Sequence, residues 1–551
     1  MSHYKFDSLI SFEVMKKMLF LSLLLTSLLS NRVIGQINFD VSINRVDFPG
    51  VKGVQSFAWA SDHHKILIIG GRVDGLHQRQ PFASFSTSGQ NNQLIVLDFE
   101  NNKTYTAPLT NLPLDVKDQF SATNFQFFQE GNLLYLTGGY GYSIKSSDHV
   151  TFPFITKIRV SQLIDSVINQ KSFASCILQK NDTMFAVTGG ALNKINHTFY
   201  LSGGHKFTGR YNPMGPNHGP GFSQSYTNAI RIFQIEDQTN SFKVNHLKSY
   251  IDTNKLHRRD YNVVPQIFPN GKEGLTLFSG VFKQDVDLPF LSAINVDSFG
   301  FLEHPKFSQY YNHYHCAHVA LFDNQSKDMH NLFFGGIAQF YDSNGILVQD
   351  NNVPFVNTIG LVTRDLNGEM KEFKMSSKMP TLLGAGSEFI VNRDLPKYHN
   401  EVIQLDQLNF SDSIFLGYIL GGIQSNKPNI FFSNTVESSA SSNLYEVFLH
   451  KNKNASNKKL NRASVSSLKL QVFPIPNYGD LLIEFELSRK SIVHITIKDY
   501  QGKILDSNSL TQLGIGKNQF SKSVSYLKSG GIYFVEVDTG FEKEVRKIIV
   551  E

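Results

Sequence analysis

FSATNFQFFQEGNLLYLTGG (Phe120–Gly139) and FAVTGGALNKINHTFYLSGG (Phe185–Gly204) are both 20 residues long and lie 65 residues apart. Laid over one another they agree at the leading Phe, at Thr123 with Thr188, and through the closing YLTGG and YLSGG. Self-similarity of this kind outranks any single motif, because it fixes the architecture into which motifs must fit. Fainter copies keep the plan: KILIIGG ends at Gly71, LTLFSG at Gly280, NLFFGG at Gly336 and LGYILGG at Gly422. Successive ends are 68, 65, 76, 56 and 86 residues apart. A fixed ending at irregular intervals describes a constant structural unit that carries loops of variable length.

Each unit holds more than the glycine-ended run. Another candidate strand precedes it, as in VQSFAWA, RDYNVVPQIF, YHCAHVALF and GSEFIV, and a third follows, as in NQLIVLDF, TNAIRIFQI and SNLYEVFL. Segments such as KTYTAPL and SFKVNHL supply a fourth. Four short strands repeated six times predict an all-β chain built as a β-propeller. The hydrophobic strand closed by Gly-Gly resembles the kelch repeat family, which implies a six-bladed kelch-like β-propeller over residues 37–450. The chain departs from that family in its longer period and in lacking a Trp late in each repeat; its one Trp is Trp59. The sixth unit has only three strands before the chain turns polar at His450. INFDVSINRV, Ile37–Val46, alternates like a strand and has no unit of its own, so residues 37–46 are expected to close the last blade and leave no open edge. Neither SGGHKFTG nor TGGYGYS fits a phosphate-binding loop, and no helical pattern follows either one.

Composition fits this reading. Forty-six Phe and 21 Tyr are strand formers, and 40 Gly supply turns. The formal charge is +5, falling to +3 once the four basic and two acidic side chains of the first 35 residues are set aside, which excludes a nucleic-acid footprint. From Met15 the chain reads MKKMLFLSLLLTSLLSNRVIGQ: basic residues, a short apolar run, then a possible cut, the order of a secretory signal peptide. Residues 1–35 are thus expected to be an upstream extension and signal peptide. No other run is long enough for an integral membrane segment. The two cysteines, Cys176 and Cys316, are expected to be buried free thiols rather than a disulfide framework.

Residues 451–467, KNKNASNKKLNRASVSS, are polar and aperiodic and form a linker. Beyond it, LKLQVFPIPNYGDLLIEFEL, SIVHITIKDYQGKIL and SGGIYFVEVDTGFEKEVRKIIVE alternate, predicting a small C-terminal antiparallel β-sandwich over 468–551. VFPIPNYGD, KDYQGKIL, LKSGGIYFVEV and the closing RKIIV together resemble the type A C-terminal sorting domain of type IX secretion in Bacteroidetes-type bacteria. Where that family has Pro-Asn-Pro, this chain has Ile475 between its prolines and Asn477 one step later. The resemblance implies passage to the periplasm, then across the outer membrane by the type IX secretion machinery, to a secreted or cell-surface location.

Function is less legible. His313 and His315 of YYNHYHCAHVALF would share one face of an extended strand, with Cys316 and His318 on the other, which splits any metal ligand set. Copper radical oxidases also use kelch-type propellers with a Tyr–Cys crosslink, but nothing beside Cys316 identifies the remaining ligands. Periplasmic sialate mutarotases are exported kelch propellers, and that resemblance would need an acid/base and a carboxylate-holding Arg. Arg259, Glu388 and Arg72 are the candidates expected to meet at one channel mouth. The insert His205–Asn228 is expected to fold over that mouth and offer Arg210, Tyr211 and Tyr226 to a glycan or protein ligand; RVDGLHQRQPFASFSTSGQ in the first unit is comparable. Binding is the leading expectation, no cofactor is called for, and a carbohydrate-active enzyme is the alternative.

Overall fold

The computed structural model describes residues 39–78, 84–212, 221–238, 240–343, 346–409, 413–431, 437–451, 468–540 and 542–551. The expected signal peptide, most of the linker, residues 213–220 of the His205–Asn228 insert and residues 79–83 of the first-unit insert lie outside them.

Apart from two α-helices and short 3-10 turns, the described elements are strands. Six sheets each contain a four-strand antiparallel path. Their first strands are Ala58–Asp62, Thr123–Glu130, Ala191–Ile195, Asn262–Ile267, His318–Asp323 and Leu382–Val391. The second strands are the glycine-ended runs. In the sixth sheet the outermost strand is Phe39–Val46, paired with Leu444–Lys451 from Phe39↔Lys451 to Val46↔Leu444. The chain thereby joins its first described strand to the last sheet, and that sheet needs no strand from elsewhere.

Two sets of backbone hydrogen bonds stitch each sheet to the next. In the outer set the last residue of each glycine-ended run donates to the following sheet: Gly71 to Ala122 O, Gly139 to Val187 O, Gly204 to Arg258 O, Gly280 to His313 O, Gly336 to Leu383 O and Gly422 to Val54 O, all at 2.8–3.2 Å. The inner set is a closed cycle. Asn124 donates to Ser56 O, Gly189 to Asn124 O, Asp260 to Gly189 O, His315 to Asp260 O, Gly386 to His315 O, and Ser56 to Gly386 O, at 2.7–3.3 Å. The last link returns to the first sheet. This geometry explains the repeat: a Cβ on Gly138, whose φ is +63°, would collide with the Val187 carbonyl oxygen. Only a residue without a side chain lets the strand end reach its neighbour with that backbone conformation.

The same circularity governs the core. One apolar cluster fills each junction: Leu67 with Leu136, Leu201 with Ile155, Tyr200 with Leu277, Phe278 with Phe333, Leu332 with Ile419, and Leu420 with Ile68. Each such side chain, fully buried, contributes about 1.5–3 kcal/mol. The helix Val160–Ile168 buries Val160, Leu163, Ile164 and Val167 in the junction of the first two sheets. Their i, i+3, i+4, i+7 spacing is the reason an apolar stripe forms.

Residues 468–551 form a separate body of two sheets. One is Gln471–Phe473, Asp480–Leu487 and Gly516–Ser523; the other contains Lys543–Val550, Gly531–Asp538, Ser491–Asp499 and Ile504–Leu513. Leu481, Ile483 and Phe485 of the first sheet face Val493, Ile495, Val535 and Ile548 of the second across one core. The second sheet does not stop at Lys543–Val550. A hairpin that follows the second strand of the fifth unit, Phe340–Ser343 with Ile346–Gln349, continues it through parallel pairing of Val348↔Val545 and Gln349↔Arg546.

Candidate functional site in the ring axis

The first strands of the six sheets surround a cavity on one side of the inner hydrogen-bond cycle, about 1160 Å³ with its open mouth included. Its wall combines aromatic faces (Trp59, Phe127, Phe128) with polar groups (Asn193, His315, His318, Glu388, Arg393). Such a mixture of apolar surface and a few placed polar atoms is the usual character of a small-molecule site.

Glu388 organises the wall. The Trp59 indole Nε1–H donates to its Oε2 at 3.3 Å, and its Oε1 lies 2.9 Å from His315 Nε2. The Trp59 bond thus orients one carboxylate oxygen, and the other stands close to an imidazole nitrogen of the fifth unit that has no hydrogen-bond partner. The His315 side chain keeps about a third of its surface open to the cavity, at 34%. Burial works against protonating it, but the Glu388 carboxylate, helped by Asp260, raises its pKa above the usual histidine value. His318 goes the opposite way: burial lowers it, and its Nδ1 is tied to Cys316 O at 2.9 Å. Two neighbouring imidazoles are thus shifted in opposite directions. Asn193 adds a buried Oδ1 with no protein partner. At the rim, Arg393 donates to Ser61 Oγ (2.9 Å) and Gln129 Oε1 (3.0 Å) and pairs with Glu401 at 3.2 Å.

The candidates taken from the sequence are dispersed. Among the described residues no hydrogen bond or ion pair links Arg72, Arg259 and Glu388. Arg72 is buried and held by both carboxylate oxygens of Asp74 and by Ser86 O. Its spacing of two from Asp74 makes it a brace for its own loop. Arg259 does not line the cavity that contains Glu388. It pairs with Asp260, donates to Tyr226 Oη at 3.1 Å and stacks over Phe282 at 5.0 Å.

Tyr226 therefore does belong to a cationic group with Arg259, as a hydrogen-bond acceptor, and stacks on His257 at 3.7 Å. Arg210 and Tyr211 serve a different end. Arg210 donates to Ser84 O at 2.7 Å, the Tyr211 carbonyl accepts from Ser84 Oγ, and the Tyr211 ring packs among Phe85, Phe207 and Phe222. They bind the insert hairpin, His205–Gly209 with Phe222–Tyr226, to the first-unit loop.

His313 and His315 do not share a face. The segment before His318 is not a strand, so two-residue alternation does not apply there. His313 is fully buried, its Nε2 against Gln309 O at 2.9 Å and its Nδ1 accepting from Gln339 N at 3.0 Å, and burial lowers its pKa to about 4. Both nitrogens are committed to backbone groups and neither is available to a metal. Among the described residues no group of His, Cys, Asp and Glu is arranged to hold a metal ion. Cys176 and Cys316 are free and buried, and burial pushes the Cys316 thiol up to about 12. Sequence reasoning missed Trp59, Asn193 and Arg393 as wall residues, whereas His318 stood in the histidine cluster it had singled out. Only Trp59, as the single Trp of the chain, carried a signal that could have singled it out.

A family model described as the secretion system C-terminal sorting domain matches residues 471–551. The chain thus carries a type IX sorting domain and is an exported protein, secreted or held at the cell surface. No helix among the described residues is long and apolar enough to cross a membrane. No curated protein matches the chain. Among solved structures it is similar to one titled "Structure of YjhT", at 12% identity and a TM-score of 0.40, over 75% of this chain and 98% of that one.

Proposed function

We propose that residues 37–450 are a six-bladed kelch-type β-propeller whose axial cavity binds a carbohydrate outside the cell, and that residues 468–551, behind a linker at 451–467 and a signal peptide within 1–35, deliver it there through type IX secretion. The six junction clusters and the closed inner cycle support the blade number, and the glycine-ended strands support the kelch type. The observation that carries the binding reading is the oriented pair of Trp59 and Glu388 on one cavity wall. A sugar presents C–H faces, which pack on aromatic rings, and hydroxyls, which need acceptors fixed in place. Glu388 and the unpartnered Asn193 Oδ1 are acceptors of that kind. A site built to hydrogen-bond a hydroxyl discriminates strongly against ligands that lack it.

The test is calorimetric titration of the purified protein with oligosaccharides chosen from a glycan array. Trp59→Ala and Glu388→Gln should each weaken binding at least about tenfold, equivalent to about 1.4 kcal/mol. Capture of a surface protein with no signal on the array would remove the carbohydrate reading.

A second reading, sialate mutarotase-like or epimerase-like proton transfer, has one observation in its favour. His315 is held at 2.9 Å by a carboxylate that raises its proton affinity, as a general acid/base requires. Acceleration of sialate anomer exchange by the purified protein, lost in His315→Asn and Glu388→Gln alike, would establish it; no acceleration excludes it.

A further inference from the structure

A two-stranded hairpin has too little to bury to hold its shape in water by itself. Phe340–Ser343 with Ile346–Gln349 nevertheless stands out from the fifth ring sheet, and what completes it is the sorting-domain strand Lys543–Val550. The benefit is mutual, because an unpaired strand edge invites pairing with other chains.

The contact is more than backbone. Lys547 pairs with Asp350, which directly follows the hairpin, and the two side chains are only 9% and 4% exposed. Asp350 is set in place by the ring before Lys547 reaches it: its N donates to Gln339 O at 2.7 Å, and its carboxylate accepts from Asn352 N at 3.0 Å and Asn429 Nδ2 at 3.1 Å. A carboxylate held by donors from the fifth and sixth sheets, with a buried lysine as its counter-charge, has the construction of a socket. Removing one member of a buried pair leaves the other uncompensated, which makes the contact selective.

We infer that this hairpin and Asp350 form an intramolecular docking site that holds the sorting domain against the ring by adding a strand to it. The docking covers the Lys543–Val550 edge. Among the described residues, Ile504–Leu513 at the opposite end of that sheet pairs only with Ser491–Asp499. A partner that adds a strand to the sorting domain's own part of this sheet must therefore use the Ile504–Leu513 edge, and the other edge opens only when the dock is released.

The intact chain tests this directly. Paired strands run about 4.8 Å apart, within the span of a disulfide, so Val348→Cys with Val545→Cys should crosslink under mild oxidation; the native cysteines are buried. Adding Lys547→Glu, which leaves the Asp350 socket intact, should slow crosslinking at least tenfold, and adding Lys547→Arg instead should keep most of the rate. Retention by the arginine variant separates loss of docking from loss of folding. Absence of the crosslink in the double-cysteine protein, or a rate indifferent to Lys547→Glu, overturns the inference.

Discussion

The ring and the sorting domain solve the same problem, a β-sheet with two faces and two edges, in opposite ways. The ring turns its faces against one another in six apolar junctions and keeps its polar chemistry in the axis. The sorting domain buries one core and leaves several large apolar side chains outside it: Tyr478, Tyr500 and Ile515 are 74%, 75% and 69% exposed. Ten of the 19 large apolar side chains exposed on the described residues, among them Phe473, Ile475, Ile492, Ile504 and Ile532, fall within residues 471–551. Exposed apolar surface at that density marks a surface made for contact. The ring places its polar side chains inward, around the cavity; the sorting domain serves the type IX secretion machinery.

The largest effect that separates the two comes from the ring's stitches. Gly138→Val should prevent folding of the ring altogether, since the side chain meets a carbonyl that cannot withdraw without opening a junction; a loss beyond about 4 kcal/mol is expected, measured by denaturant unfolding. Survival of a cooperative ring transition in that variant would mean the junctions are looser than the hydrogen bonds imply. Next comes Ile548→Ala in the sorting-domain core, costing about 2–5 kcal/mol. Its unfolding should appear as an early transition of the small body, ahead of the ring's own.

A smaller effect distinguishes the axis from the rest of the ring. The folded pKa of His315 lies above the unfolded value of about 6.5, so its pairing with Glu388 stabilises fully below that pH and is lost as pH rises through the folded pKa. The wild-type advantage in Tm over His315→Gln should therefore be greatest in mild acid and decline above neutrality, by about 2 °C. A difference that is flat with pH would show that the two groups do not share charge. Smallest in stability but decisive for the comparison are Tyr500→Ser and Ile515→Ser. Each should change unfolding free energy by less than about 0.5 kcal/mol while reducing export of the protein, read as its ratio outside and inside the cell.

Legibility in the sequence follows the same division. The strand ends at Gly71, Gly139, Gly204, Gly280, Gly336 and Gly422 could be read because close backbone approach leaves glycine no substitute. INFDVSINRV could be read as a strand without a unit because alternation is local. The site could not be assembled, because Trp59, Asn193, His315 and Glu388 come from different sheets and no spacing connects them. Tyr310–Cys316 was misread for a local reason: alternation was applied where the chain is not extended in a sheet, which set His313 beside His315. The helix at Val160–Ile168 shows an apolar stripe that is visible in VSQLIDSVI, yet it went unread beside the stronger strand repeat.

The inner cycle through Ser56, Asn124, Gly189, Asp260, His315 and Gly386 has a consequence for traffic. Asn124 Nδ2 reaches Asp260 Oδ1 at 3.4 Å, and the space a side chain would need at Gly189 is taken by Asp260, whose Oδ1 would lie 2.6 Å from a Cβ there. A side-chain contact thus reaches from the second unit to the fourth and narrows the axis at the level of the cycle.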